Sequence, residues 1–90
     1  MTRPIQRIFL APRFERELRH FSKRIQALAK KKDTLFRQDA FHPSLKTHKL
    51  GGELKETWSY SVNREYRVHF CFIDDSTVMY INIGTHEIYT

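Results

Sequence analysis

The residues best suited to acid–base and phosphate chemistry gather in the second half of this 90-residue chain: His42, Lys46, His48, Lys49, Lys55, Arg64, Glu65, Arg67, His86 and Tyr89. Histidine serves as acid or base near neutral pH. Arginine holds two phosphate oxygens in a fixed fork. Cleavage of RNA without a metal requires such a set. A base takes the proton from the ribose 2′-OH, the freed oxygen attacks the adjacent phosphate, a cation stabilises the added negative charge, and an acid protonates the leaving 5′-oxygen. Other chemistries lack their parts. There is no phosphate loop, dinucleotide fingerprint or HExxH. One cysteine, Cys71, cannot build a cysteine-rich zinc site, and the five histidines (His20, His42, His48, His69 and His86) are dispersed along the chain. No metal and no cofactor is expected.

Each residue also has a plainer role open to it. Arg67 alternates with Tyr66, Val68, Phe70 and Phe72, so it stands on the face opposite theirs, where it could simply pair with Glu65. His86, after Gly84 and Thr85, suits a structural histidine as well as a catalytic one. His48 suits a loop histidine that bonds backbone. Tyr89 is either a packing anchor or a ring on which a base stacks. The run Lys30-Lys31-Lys32 reads as a solvated helix face, and Cys71, inside the apolar run Val68–Ile73, as a buried structural thiol.

The elements that must position these groups follow from patterning. Ile5–Leu10 reads as a first strand. Pro12 suits the first turn of a helix whose apolar face is Phe14, Leu18 and Phe21. Ser22 can cap a second helix, with Ile25, Leu28, Ala29, Leu35 and Phe36 on its buried side. From Phe41 to Gly52, Pro43 and two glycines predict a long loop. Thr57–Val62, Tyr66–Ile73 and Thr77–Ile83 alternate as strands, with turns at Asn63-Arg64 and Asp74–Ser76. The order β-α-α-β-β-β predicts one α+β domain over residues 1–90. In it, an N-terminal strand and a two-helix hairpin pack on an antiparallel sheet of about four strands.

The net charge of +6 favours a polyanionic partner. No apolar run approaches membrane-spanning length, the N-terminal residues lack a signal peptide's apolar stretch, and a single cysteine suits the cytoplasm.

The ordered pieces Ala11-Pro12-Arg13-Phe14, His48-Lys49-Leu50, Gly52-Glu53-Leu54, Trp58-Ser59-Tyr60-Ser61-Val62, Glu65-Tyr66-Arg67-Val68 and Gly84-Thr85-His86-Glu87-Ile88-Tyr89 resemble the RelE/ParE toxin superfamily along the whole chain. The nearest resemblance is to its YafQ-like branch, which pairs a loop histidine with one in a C-terminal Gly-Thr-His. Those fall on His48 and His86, and that branch's acidic residue falls on Glu65. The RelE and YoeB branches use an arginine that falls on Arg67. Where the YafQ branch carries a further histidine, this chain has Ser61. The resemblance implies a ribosome-dependent messenger RNA endonuclease restrained by an antitoxin from the same operon. The alternative is a ParE-like toxin that binds and inhibits DNA gyrase without cutting RNA. On the first reading, Lys46, Lys49, Lys55, Arg64 and Arg67 are expected to line one basic concavity. An acidic or amphipathic antitoxin segment is expected across the helical hairpin and sheet edge.

Overall fold

The computed structural model describes residues 2–51 and 56–85. Strand β1 (Arg7–Leu10) leads into α1 (Pro12–His20), which opens on Pro12 as expected. Helix α2 (Lys23–Gln38) starts where the Ser22 hydroxyl accepts the Ile25 N–H at 3.3 Å. It ends at Asp39, whose carboxylate accepts the N–H groups of Arg3 and Phe41, both at 3.0 Å. Those two bonds, Arg3's first, hold the Asp39 pKa below its ordinary value. A 3₁₀ turn (Pro43–Leu45) and a two-residue strand β2 (His48–Lys49) follow. Strands β3 (Trp58–Ser61), β4 (Tyr66–Asp74) and β5 (Thr77–Thr85) complete the chain as described.

The domain is α+β, and its sheet differs from the expected one in two respects. It has five strands, in the order β1-β5-β4-β3-β2, and it is mixed, because β1 runs parallel to β5. The segment expected to be a loop supplies the extra strand. Lys46 adopts a left-handed backbone (φ 52°) after the 3₁₀ turn, which redirects the chain so that His48 and Lys49 pair with Ser59 and Trp58. The β3–β4 turn is also wider than the two-residue turn expected at Asn63-Arg64. The Asn63 carboxamide oxygen accepts the N–H groups of Glu65 and Tyr66, each at 2.8 Å, doing by side chain what a glycine would have done by backbone.

Phe36 of α2 is fully buried against the rings of Tyr60 (4.7 Å), Phe70 (4.9 Å) and Tyr80 (5.7 Å). Within this aromatic core the Tyr60 hydroxyl donates to that of Tyr80 (3.0 Å), which donates to the Asp33 carboxylate (2.7 Å); Arg37 completes the chain on Asp33 at 2.9 Å. Burial pushes both phenol pKa values up, so both hydroxyls stay protonated as donors. Tyr80 and Ile83 both face the core although they lie three apart on one strand. A register shift makes this consistent, since Phe70 pairs with Tyr80 while His69 pairs with Asn82, leaving Ile81 as the extra residue. Beyond Leu10 the edge of β5 is no longer covered by β1. There α1 takes over, with Glu17 accepting the Ile83 N–H at 3.0 Å. Cys71, expected to be buried, is only half-buried. It pairs with Met79 on the face away from the helices, because it alternates with Phe70 and Phe72. Among the described residues no helix is long and apolar enough to cross a membrane.

Candidate active site

The face of the sheet away from α2 carries two cross-strand rows. The first runs His48, Ser59, His69, Asn82 across β2, β3, β4 and β5. The second runs Ser61, Arg67, Gly84. Strand parity puts all of these side chains on one surface, opposite Tyr60, Val68 and Phe70.

His48 is exposed at the end of the first row. Its Nδ1 lies 2.9 Å from the Lys46 carbonyl, which can only accept, so Nδ1 carries the proton and Nε2 the lone pair of the neutral ring. The unusual backbone at Lys46 therefore also fixes the tautomer of His48. Arg67 is half-buried in the second row, and its Nη1 donates to the Ser61 hydroxyl at 2.6 Å. Ser61 thus holds Arg67 in place. Gly84 across from Arg67 adds no side chain over the guanidinium.

The expected basic concavity forms from part of its expected set. Lys46, Arg64 and Arg67 line one cavity of about 270 Å³. Lys49 does not join them. It pairs with Trp58, and so shares the face of Trp58 rather than that of His48. Glu65 lies in the turn before β4 and is exposed. The ion pairs among the described residues are Arg3–Asp75, Arg13–Glu17 and Arg37–Asp33, so Glu65 and Arg67 are not paired with each other. Glu65 precedes β4, so strand alternation does not assign it to the face of Arg67. Lys55, His86 and Tyr89 lie outside the described residues; β5 ends at Thr85, which pairs with Tyr66. Among the described residues no group of histidine, cysteine or carboxylate side chains is arranged to hold a metal.

Two contributors escape a reading of the sequence alone. Lys32 reaches the same cavity from α2. Its spacing gave a signal: it lies four residues after Leu28 and four before Phe36, on the inward stripe rather than the solvated one. His69 is buried in the first row beside Ser59 and Asn82. Its pKa is lowered from the ordinary 6.5, first by burial, then by the positive charges of Arg13, His48 and Arg67, with Glu17 opposing. Alternation placed His69 on this face, but it could not show that the row is buried.

No protein-family model matches the sequence, and no curated protein matches it. Solved structures do. YafQ from E. coli superposes with a TM-score of 0.76 at 19% identity, covering 92% of this chain and 97% of that one. A YoeB/ParE toxin from Agrobacterium tumefaciens gives 0.75 at 13% identity, over 90% of this chain and 99% of that one. The chain has the RelE/ParE toxin fold. A further structure with this fold, the toxin–antitoxin complex RelBE2 from Mycobacterium tuberculosis, gives 0.75 at 18% identity over 92% and 93% of the two chains. In this chain the RelE/ParE fold places His48 and Arg67 on one sheet face, one two-residue repeat apart along the strand (about 7 Å) and two strands apart across the sheet (about 10 Å).

Proposed function

We propose that this chain is the toxin of a type II toxin–antitoxin pair and that it cuts messenger RNA on the ribosome. The observation that supports this most is an oriented histidine and an anchored arginine on the same sheet face. His48 presents Nε2 as its basic nitrogen, and Arg67 is held by Ser61 one row away. In the proposed reaction His48 Nε2 takes the 2′-OH proton. The O2′ atom attacks phosphorus and the bond to the 5′-oxygen breaks, with His86 giving that oxygen a proton. The products are a 2′,3′-cyclic phosphate and a 5′-hydroxyl. Arg67 binds the non-bridging oxygens as their charge grows. Glu65 orients a substrate group from the turn, and Tyr89 stacks or hydrogen-bonds to a base. The chemical step needs no metal.

The partners proposed are the ribosome with its message and a cognate antitoxin, as in the RelBE2 complex. The antitoxin segment lies across the helical hairpin and sheet edge, and the protein works in the cytoplasm.

The test is to add purified protein to translating ribosomes and map the RNA ends. Wild type is expected to leave 2′,3′-cyclic phosphate ends and to spare message carrying a 2′-deoxy sugar at the cut. Arg67→Ala is expected to lose about 100- to 1,000-fold in rate and His86→Ala about 100- to 10,000-fold, and Arg67→Lys to recover only part, since an ammonium cannot make the bidentate contact. Full activity in a folded His48→Ala, His86→Ala double variant would refute the residue assignment. Cleavage at the 2′-deoxy position would refute the mechanism. Absence of cleavage together with inhibition of gyrase would put the ParE-like activity in its place.

A further inference from the structure

The cavity beside Arg67 is larger than one scissile phosphate needs. Among the described residues four cations line it: Lys32 from α2, Lys46 from the left-handed turn, Arg64 from the β3–β4 turn, and Arg67. Ser44 and Ser61 supply hydroxyls, and among the described residues no carboxylate lines it. Like charges gathered around about 270 Å³ repel one another, and a cleft lined by one sign of charge concentrates its field on whatever enters. The turn is built to keep them there. The carboxamide oxygen of Asn63 fixes the backbone on either side of Arg64, and Lys46 sits where a glycine would be less strained (φ 52°).

Position matters as much as charge. His48 stands in the row of Ser59, and Arg67 one row further along β3 in the row of Ser61. The Asn63–Arg64 turn lies beyond that row, so the cavity extends past Arg67 on the side away from His48. A strand of nucleic acid whose scissile phosphate lies between His48 and Arg67 would carry its neighbouring phosphate into the cavity.

We propose that this cavity is a second phosphate subsite, which binds the phosphodiester adjacent to the one cleaved, and that Lys32 of α2 is one of its ligands. Which strand supplies the phosphate rests on the ribonuclease reading above; the anion site itself does not. Arg67 is shared between the two phosphates, while Lys32, Lys46 and Arg64 serve only the second. The subsite fixes the register of the strand against His48, and it ties α2 to the substrate-binding face.

Two probes test this. Inorganic phosphate titrated into ¹⁵N-labelled protein is expected to shift the Lys46, Asn63 and Arg64 amides, and Lys32→Gln is expected to weaken that binding severalfold. A 2′-O-methyl RNA hexanucleotide, which lacks the attacking hydroxyl, reports on the strand. Each lost phosphate contact lowers the slope of log affinity against log salt by about 0.7 for a single strand. Lys32→Gln and Lys46→Gly are each expected to show that decrease. Lys46→Gly relieves the left-handed backbone, so its melting temperature, measured alongside, is expected to hold. Unshifted turn amides, or an unchanged salt slope in both folded variants, would overturn the subsite. If phosphate and oligonucleotide binding fall as expected while ribosomes are left uncut, the subsite stands and the ribonuclease reading fails. If cleavage proceeds while neither variant changes phosphate binding or the salt slope, the subsite alone fails.

Discussion

Tyr80→Phe removes one oxygen from the middle of a three-link chain, and the consequence can be worked link by link. The Tyr80 hydroxyl donates to Asp33 at 2.7 Å and accepts from Tyr60 at 3.0 Å, with Tyr60 and Tyr80 only 1% and 2% exposed. Losing a hydrogen bond to a carboxylate costs about 1.5–3 kcal/mol, and leaving the buried Tyr60 donor without its acceptor adds about 1–3 kcal/mol. Asp33 keeps Arg37 and is partly open to water, so it adds little. The sum is about 2.5–6 kcal/mol, or about 10 °C or more in melting temperature for a domain of this size. Tyr60→Phe differs in kind. It breaks one neutral bond, about 1 kcal/mol, and strands no donor, because Tyr80 still donates to Asp33. The double variant loses both bonds but leaves no orphaned hydroxyl. It is therefore expected to be no less stable than Tyr80→Phe alone. Urea unfolding of the four proteins, with the slope m checked for constancy, closes the cycle. Simple additivity, or a Tyr60→Phe variant weaker than Tyr80→Phe, would refute the direction assigned to the chain of bonds.

Two further outcomes are open to measurement. Glu17→Gln keeps an acceptor near the Ile83 N–H but removes the charge, whereas Glu17→Ala leaves that N–H to water at an uncovered strand edge; the expected losses are under about 1 kcal/mol and about 1.5–3 kcal/mol, read by thermal unfolding. His69 links stability to acidity: its folded pKa lies below 6.5, so the unfolded chain takes up a proton first as pH falls. Stability is therefore lost as pH drops through the ordinary histidine range, and the loss levels off below the folded value. His69→Gln is expected to lose less stability than wild type between pH 7.5 and pH 5.5, and an NMR titration placing the His69 ring at or above 6.5 would contradict the burial argument.

Much of the architecture was legible because it is written locally. Pro12 and Ser22 mark helix starts, and the alternation from Tyr66 to Phe72 fixes which side of β4 meets Phe36 and which side carries Arg67. What escaped is non-local. Nothing in Ile8 or Phe9 says that their neighbours are Val78 and Met79, running the same way. The Ile81 irregularity is likewise set by two strands rather than one. At the site, His48 and Arg67 followed from residue type and resemblance, but Lys49 did not follow His48. Consecutive residues of a strand point to opposite faces, and the Pro- and Gly-punctuated segment from Phe41 to Gly52 carries no strand pattern to reveal it. Lys32 was hidden in a basic run whose other members are exposed. The burial of Ser59, His69 and Asn82 was illegible, because a polar row looks the same in sequence whether water or protein covers it.

The parallel pairing of β1 also sets the order in which the molecule can assemble. Arg7 meets Thr77 seventy positions away, whereas Asp74 meets the same residue across a turn of two. Closing the longer span costs about 4 kcal/mol of chain entropy on the (3/2)RT ln n scale, before any contact rewards it. The β4–β5 hairpin nearly escapes that cost. The meander of β3, β4 and β5 is therefore expected to condense first on α2, with β1 docking last onto an edge already built. Because α1 follows β1 directly, Glu17 reaches the Ile83 amide only after that docking. The N-terminal strand and α1 then form a cooperative unit of their own, the last to close on folding and the first to open on unfolding.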